Sequence, residues 1–264
     1  MGHIIAITNQ KGGVGKTTTS VNLAASLAAH KRSVLLIDMD PQGNATTGSG
    51  IDKSSLLATT YGVLLEDLAP GNALIKLGES NYSVLPANGD LTAAEVELLS
   101  AAKREHRLRI ALQKIRYDYD EILIDCPPAL NMLTINALTA ADGVIIPIQC
   151  EYYALEGLSA LLNTIEGIQQ RLNPRLHIAG LLRTMFDPRN NLANEVSSQL
   201  MSHFGEQVYS TIIPRNVRLA EAPSYGKPVM LYDRSSRGSV AYLVLAKEVL
   251  MREIREESLQ AEVR

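Results

Sequence analysis

The sequence predicts a doubly wound α/β fold, a mostly parallel sheet with helices on both faces. Three observations carry this expectation. Short apolar runs alternate with longer segments of helical periodicity. Several of those runs are apolar at every position, as strands covered on both faces must be. A glycine-rich turn joins the first run to the first helical segment, and two later runs end on aspartate. In open α/β sheets, ligands gather beyond the carboxyl ends of the strands.

"HIIAIT" (3–8) reads as the first strand, and a helical pattern over 16–30 comes after it. "SVLLID" (33–38) is the second strand. The stretch 42–81 is rich in Gly, Ser and Thr and is expected to hold a mobile loop and a short helix around "YGVLLEDLAP" (61–70). "YSVLPA" (82–87), a helical pattern over 90–115, "EILIDC" (121–126) and a helix over 131–141 come next. "GVIIPIQ" (143–149), a helix over 154–172, "LHIAGLL" (176–182), a helix over 190–204 and "QVYSTII" (207–213) continue the alternation. A helical pattern over 237–257 closes it, and "REESLQAEVR" (255–264) reads as a frayed, solvated helix end. Such alternation implies right-handed strand–helix–strand crossovers.

The 264 residues suit one nucleotide-binding domain spanning 1–264. Apolar residues make up 46% and charged residues 20%, with no Trp and two Phe, so the core must rest on Leu, Ile, Val and Ala. A net charge of −3 argues against coating nucleic acid by bulk charge but leaves room for a local basic face. Two cysteines, Cys126 and Cys150, are no disulfide framework; each follows a strand and reads as a buried thiol. No secretory signal is expected from "MGHIIAIT", and no run reaches the length of a membrane span, so the chain reads as cytosolic.

"NQKGGVGKTTT" (9–19) carries the chemistry. Gly12, Gly13 and Gly15 let the backbone fold tightly and turn its amides toward phosphate oxygens, and the helix that starts near Lys16 adds its dipole. Lys16 can reach the terminal phosphates, and the Thr17 hydroxyl can hold Mg²⁺. "LLIDMDPQGNAT" supplies Asp38 and Asp40, and "ILIDCPP" supplies Asp125. All three acids should face the loop, where a strand-end aspartate supports Mg²⁺ in such enzymes. One of the close pair, Asp38 or Asp40, is expected to be structural, capping the next helix. Lys11 is a second lysine at the loop entrance. Its stem could fold over its own phosphates, extend to those of another subunit, or stand solvated.

With "DMDPQGNAT", "IDCPP", "PIQCEYYALEGL" (147–158) and "IPRNVRLAEAPSYGKP" (213–228), the loop resembles the ParA/Soj-type partitioning ATPases of bacterial chromosomes and plasmids. The match runs from residue 3 to about 250, and the last two motifs are the most specific. The resemblance implies a weak, partner-stimulated ATPase with ATP and Mg²⁺ as cofactors. Lys11, Gly12, Gly13, Val14, Gly15, Lys16, Thr17 and Thr18 would hold the nucleotide. Lys11 would contact the ATP of a second copy in a sandwich homodimer, with Gly12 at the interface. Lys16 would bind the β/γ-phosphates. Thr17, Asp40 and Asp125 would serve the metal, and Asp40 would position the attacking water. Pro214 and Asn216 would line the adenine pocket. Arg189 and Arg218 would contact double-stranded DNA without sequence preference, and a ParB-type centromere-binding protein would stimulate hydrolysis. Residues 213–238 carry five Lys/Arg against two acids, a local basic excess that fits. The chain would then be cytoplasmic and nucleoid-associated.

Two rival readings share the scaffold. A MinD-type membrane ATPase would need a basic amphipathic C-terminal helix. Residues 247–264 instead hold four basic and five acidic side chains. A metabolic ATP-dependent enzyme would need a further substrate pocket or a cluster loop, and Cys126, between Asp125 and Pro127, leaves no room for the latter.

Overall fold

A computed structural model of the chain describes residues 2–262. Eight strands form one sheet in the order β3-β4-β2-β5-β1-β6-β7-β8. They are β1 (His3–Ile7), β2 (Val34–Asp38), β3 (Ile75–Lys76), β4 (Ser83–Leu85), β5 (Glu121–Asp125), β6 (Gly143–Gln149), β7 (His177–Phe186) and β8 (Val208–Pro214). All neighbours run parallel except the short edge strand β3, which pairs antiparallel to β4. The expected doubly wound sheet is what the chain builds.

The reason the strand interiors are mostly apolar is visible in their packing. Ile4 and Ala6 of β1 belong to one core, and Ile5 and Ile7 belong to the other. Successive side chains point to opposite faces, so both phases of the strand must be apolar. Helices Lys16–Ala29 and Arg237–Glu262 cover one face. Helices Met132–Ala140, Ala154–Arg171 and Asn191–Phe204 lie on the other. Cys126 and Cys150 are both buried and free, as expected.

Four expectations are adjusted. The pattern over 90–115 is not one helix but two, Leu91–Glu97 and Arg107–Leu112. Between them Lys103 takes a left-handed backbone (φ 53°). The buried Asn136 clamps the turn, donating to the Arg104 carbonyl (2.7 Å) and accepting from the Leu108 amide (3.1 Å). Leu98 and Leu108 thereby share one core, and their helical spacing survives the break. In the stretch 42–81 the expected short helix is found at Thr60–Leu65, but a second helix, Asn44–Gly48, and the two-residue β3 were not expected. Strand β7 runs on to Phe186, four residues beyond the apolar run. The C-terminal helix extends to Glu262; residues 263 and 264 of the expected solvated tail, and the side chains at 256, 257 and 259–262, lie outside the described residues.

Two loops at the carboxyl end of the sheet meet at a pair of glycines. A Cβ on Gly50 would lie 2.7 Å from the Gly226 carbonyl oxygen, and one on Gly226 would lie 2.7 Å from the Gly50 Cα. Both residues are left-handed, with φ of 86° and 60°.

Candidate nucleotide site

The site is built where β1, β2, β5, β7 and β8 end. After β1 the chain turns through Gly13 (φ 74°) and Gly15 (φ 87°) into the helix Lys16–Ala29. Gly15 is the N-cap and no side chain caps this helix, so the first-turn amides are left for a ligand. A Cβ on Gly12 or Gly13 would meet nothing within 4 Å, so the glycines leave an open cradle rather than a crowded turn. Val14 is buried, and its carbonyl accepts from the Thr184 hydroxyl (2.8 Å), which ties the loop to β7.

A cavity of about 600 Å³ lies over this loop. Gly12, Gly13, Gly15, Lys16, Thr17, Thr18 and Asp40 line one side; Met185, Pro214, Arg215 and Asn216 line the other. The volume is in the usual range for a small-molecule site. Lys16 is only 7% exposed, and its ammonium donates to the Lys11 carbonyl (3.1 Å). An ammonium has three donors, so this contact leaves capacity for phosphate. Burial lowers the Lys16 pKa, and the charges of Asp125 and Asp40 oppose that shift.

The acids divide by role. Asp125 is fully buried; its Oδ2 accepts from the Thr17 hydroxyl (2.8 Å) and its Oδ1 from Ser20 (2.7 Å). Burial, then the Asp38 charge, pushes its carboxyl up to about 8. A cation beside it would reverse that cost. Asp38 is also fully buried, but it faces the backbone of its own loop. It accepts from the Asp40 amide (3.1 Å), the Thr46 amide (2.8 Å) and the Thr46 hydroxyl (2.7 Å). Asp38 is therefore the structural member of the pair. Asp40 lines the cavity, and its Oδ1 accepts from the Gln42 amide (2.9 Å). The Thr17 hydroxyl with Asp125 and Asp40 nearby is a hard oxygen set that fits Mg²⁺ beside a phosphate chain.

Lys11 does not line this cavity. Its Nζ lies 2.6 Å from Glu151 Oε2, just past β6, with both side chains nearly half exposed. Pro214 and Asn216 do line it, and Asn216 also caps the helix Val217–Glu221 by accepting from the Arg218 amide (2.9 Å). Arg189 sits on the loop after β7, and Arg218 on the short helix Val217–Glu221 that comes after the adjacent strand β8. Each is engaged locally: Arg189 donates twice to Asp187, and Arg218 pairs with Glu221 (2.9 Å) and Asp233 (3.2 Å).

Sequence reasoning missed four members of this constellation. Ser20 was legible in principle, four residues after Lys16 on the same helix face. Glu151 and Thr184 reach the loop only through the sheet order; Glu151 lies within the quoted motif 147–158, but nothing local pairs it with Lys11, and Thr184 had no local signal. Met185 lines the cavity with a left-handed backbone (φ 48°), a conformation that costs a non-glycine residue about 1–3 kcal/mol.

A parallel sheet whose first strand feeds a glycine loop and an uncapped helix, with buried lysine and strand-end aspartates, defines a phosphate-loop ATPase. A family model described as an AAA domain matches residues 2–178. The chain is 56% identical to the sporulation initiation inhibitor protein Soj of Bacillus subtilis, covering 94% of this chain and 98% of that one. It is 54% identical to the chromosome partitioning protein ParA of Myxococcus xanthus, covering 96% and 89%. Among solved structures it resembles one described as cobyrinic acid a,c-diamide synthase from Mycobacterium smegmatis with bound ADP and magnesium. That likeness has a TM-score of 0.83 at 39% identity, over 95% of this chain and 94% of that one. The chain belongs to the Soj/ParA-type chromosome-partitioning ATPases.

Proposed function

We propose that this protein is an ATP-driven switch for DNA partitioning. ATP and Mg²⁺ occupy the cavity over residues 11–18, and two copies close face to face around two nucleotides. The closed pair holds double-stranded DNA, and hydrolysis releases it. The observation that carries this reading is Lys11: a lysine at the mouth of a phosphate site, absent from its cavity wall and held on a half-exposed glutamate instead. A cation so mounted can be handed to a neighbour's phosphates, and a positive charge delivered in trans is worth about 10³–10⁵ in rate in GTPases.

The chain's own residues divide the work. The loop amides and Lys16 bind and orient the phosphates. Thr17 offers its hydroxyl to magnesium, which supplies charge neutralisation when bound, and Asp125 orients that hydroxyl. Asp40 holds the attacking water. Pro214 and Asn216 receive the adenine. Gly12, exposed and without a neighbour, allows the close approach of a second copy. Arg189 and Arg218 exchange their local acids for DNA phosphates, and a centromere-binding partner of the ParB type stimulates turnover. The reading extends to the whole chain as one domain, cytoplasmic and gathered on the nucleoid.

The synthase name on the Mycobacterium smegmatis structure favours a metabolic reading, but at 39% identity against 54–56% for the partitioning proteins it is the weaker likeness. No helix among the described residues is long and apolar enough to cross a membrane. Sedimentation with a non-hydrolysable ATP analogue and Mg²⁺ tests the switch: wild type should pair and Lys11→Ala should stay single. A gel shift with arbitrary duplex DNA then separates the two enzymatic readings. Retardation with ATP but not ADP, lost in Arg218→Glu, is expected; no retardation under any nucleotide would overturn the partitioning reading.

A further inference from the structure

The other end of the sheet carries a second cluster that the nucleotide reading leaves unused. His3 opens β1 and Glu121 opens β5, and the two are register partners. Glu253 joins them from the C-terminal helix, with its Oε1 2.9 Å from His3 Nδ1. One nitrogen or carboxylate oxygen from each of the three lies within 4.8 Å of the others, the one such grouping among the described residues.

Glu121 is the informative member. It is fully buried. Its Oε1 accepts from Arg32 Nε (3.3 Å) and Nη2 (3.0 Å), while its Oε2 is buried and accepts from no N–H or hydroxyl; the carboxyl's further partner is the Glu253 carboxyl. Two buried carboxyls can partner each other only with a proton, or another cation, between them. Burial and then the Glu253 charge push the Glu121 carboxyl up to about 8. Burial pulls His3 down, but its hydrogen bond to Glu253 and the charges of Glu253, Glu121 and Asp142 outweigh this and raise it. Two carboxylates thus share a pocket with Arg32 and one imidazole, and the cluster favours added positive charge.

We propose that His3, Glu121 and Glu253 form a site for a divalent transition metal, and that zinc fits the ligand set best. His3 Nδ1, Glu121 Oε2 and one Glu253 oxygen are the protein ligands, with water in a fourth position. Zinc accepts mixed imidazole and carboxylate ligands at about 2.0–2.2 Å in four-coordinate sites. Mg²⁺ and Ca²⁺ prefer oxygen-only sets, so the imidazole selects against them. Bonds of that length put tetrahedral ligands about 3.3–3.6 Å apart, so atoms already gathered within 4.8 Å need only small side-chain adjustment. The ion replaces the proton between His3 and Glu253 and the one that the Glu121 and Glu253 carboxyls share. It also clips the C-terminal helix to the starts of β1 and β5, at the far end of β5 from the nucleotide loop.

The test uses the full chain, stripped with a chelator and then kept in excess Mg²⁺ without nucleotide. Zn²⁺ is titrated against a chromophoric chelator, and Co²⁺ is added separately as an optical probe. Wild type should hold one Zn²⁺ per chain, show the intense visible bands of four-coordinate Co²⁺, and unfold at a higher temperature with Zn²⁺ than without. His3→Ala and Glu253→Gln, each changing a partly exposed side chain, should weaken Zn²⁺ at least about tenfold, as loss of one ligand from three demands. Lys16→Ala should bind Zn²⁺ as wild type does. No stoichiometric Zn²⁺ in wild type, wild-type affinity in both ligand variants, or loss of the ion in Asp125→Asn instead would overturn the site. If either ligand variant fails to fold, the Co²⁺ spectrum of wild type decides: bands of six-coordinate intensity overturn the proposal.

Discussion

Strand β5 begins at Glu121 and ends at Asp125, and both acids are fully buried. At the Asp125 end both carboxylate oxygens are held by hydroxyls from one helix, Thr17 and Ser20. At the Glu121 end one oxygen is held by Arg32, and the carboxyl's other partner is a second carboxyl, Glu253. Both carboxyls are pushed up to about 8, for the same leading reason, burial. The difference lies in what surrounds them. One end is a set of donors converging on an open cavity, with Lys16 close by. The other is a closed corner of charges from three elements. Burial of an acid alone therefore does not mark a site; the geometry of its partners does.

The largest expected effect breaks the nucleotide end alone. Lys16→Ala should abolish ATP binding measured by calorimetry, while the midpoint of urea unfolding holds or rises, because a buried ammonium leaves with it. Retained ATP affinity would show that the loop does not hold the phosphates. Next in size, Asp125→Asn should cut Mg²⁺-dependent hydrolysis by about 10–100-fold, the usual cost of losing a group that orients a metal ligand. Asp40→Ala should stop hydrolysis while ATP binding stays near wild type; an unaltered rate would remove Asp40 from the reaction.

The Glu121 end should answer in stability instead. In the folded chain Glu121 keeps its proton up to about pH 8, against an ordinary value of 4.5. Between those values the unfolded state releases a proton that the folded state retains, so stability falls as pH rises. Glu121→Gln cannot ionise and should flatten that fall, with a gain of about 1–2 kcal/mol at pH 8 in chelator, discounted from the full linkage for relaxation of the site. Parallel pH profiles for variant and wild type would refute the assignment. Smallest of all, Lys31→Gly should stabilise by about 0.5–1 kcal/mol, because Lys31 closes the first helix with φ of 65°.

The asymmetry between the two ends explains what could be read from the sequence. The nucleotide end was legible because its parts are local. Glycines, Lys16 and Thr17 lie within one turn of chain, and Asp40 and Asp125 come directly after or at the ends of apolar strands. The fold was legible for the same reason, since strand burial on both faces leaves unbroken apolar runs. Lys11–Glu151 and His3–Glu121–Glu253 were not legible, because each joins residues more than a hundred positions apart that only the strand order brings together. The break at Lys103 was hidden because the two short helices keep one apolar face.

The bare meeting of Gly50 and Gly226 has a mechanical consequence. The first glycine lies beyond the aspartate loop after β2, and the second belongs to the segment that runs on from the cavity wall past Arg218. With no side chain between them there is nothing to compress, so neither loop can shift inward without striking the other's backbone. The contact works as a hard stop, not a spring, and it sets a limit on how far the floor of the pocket and the basic segment can approach one another.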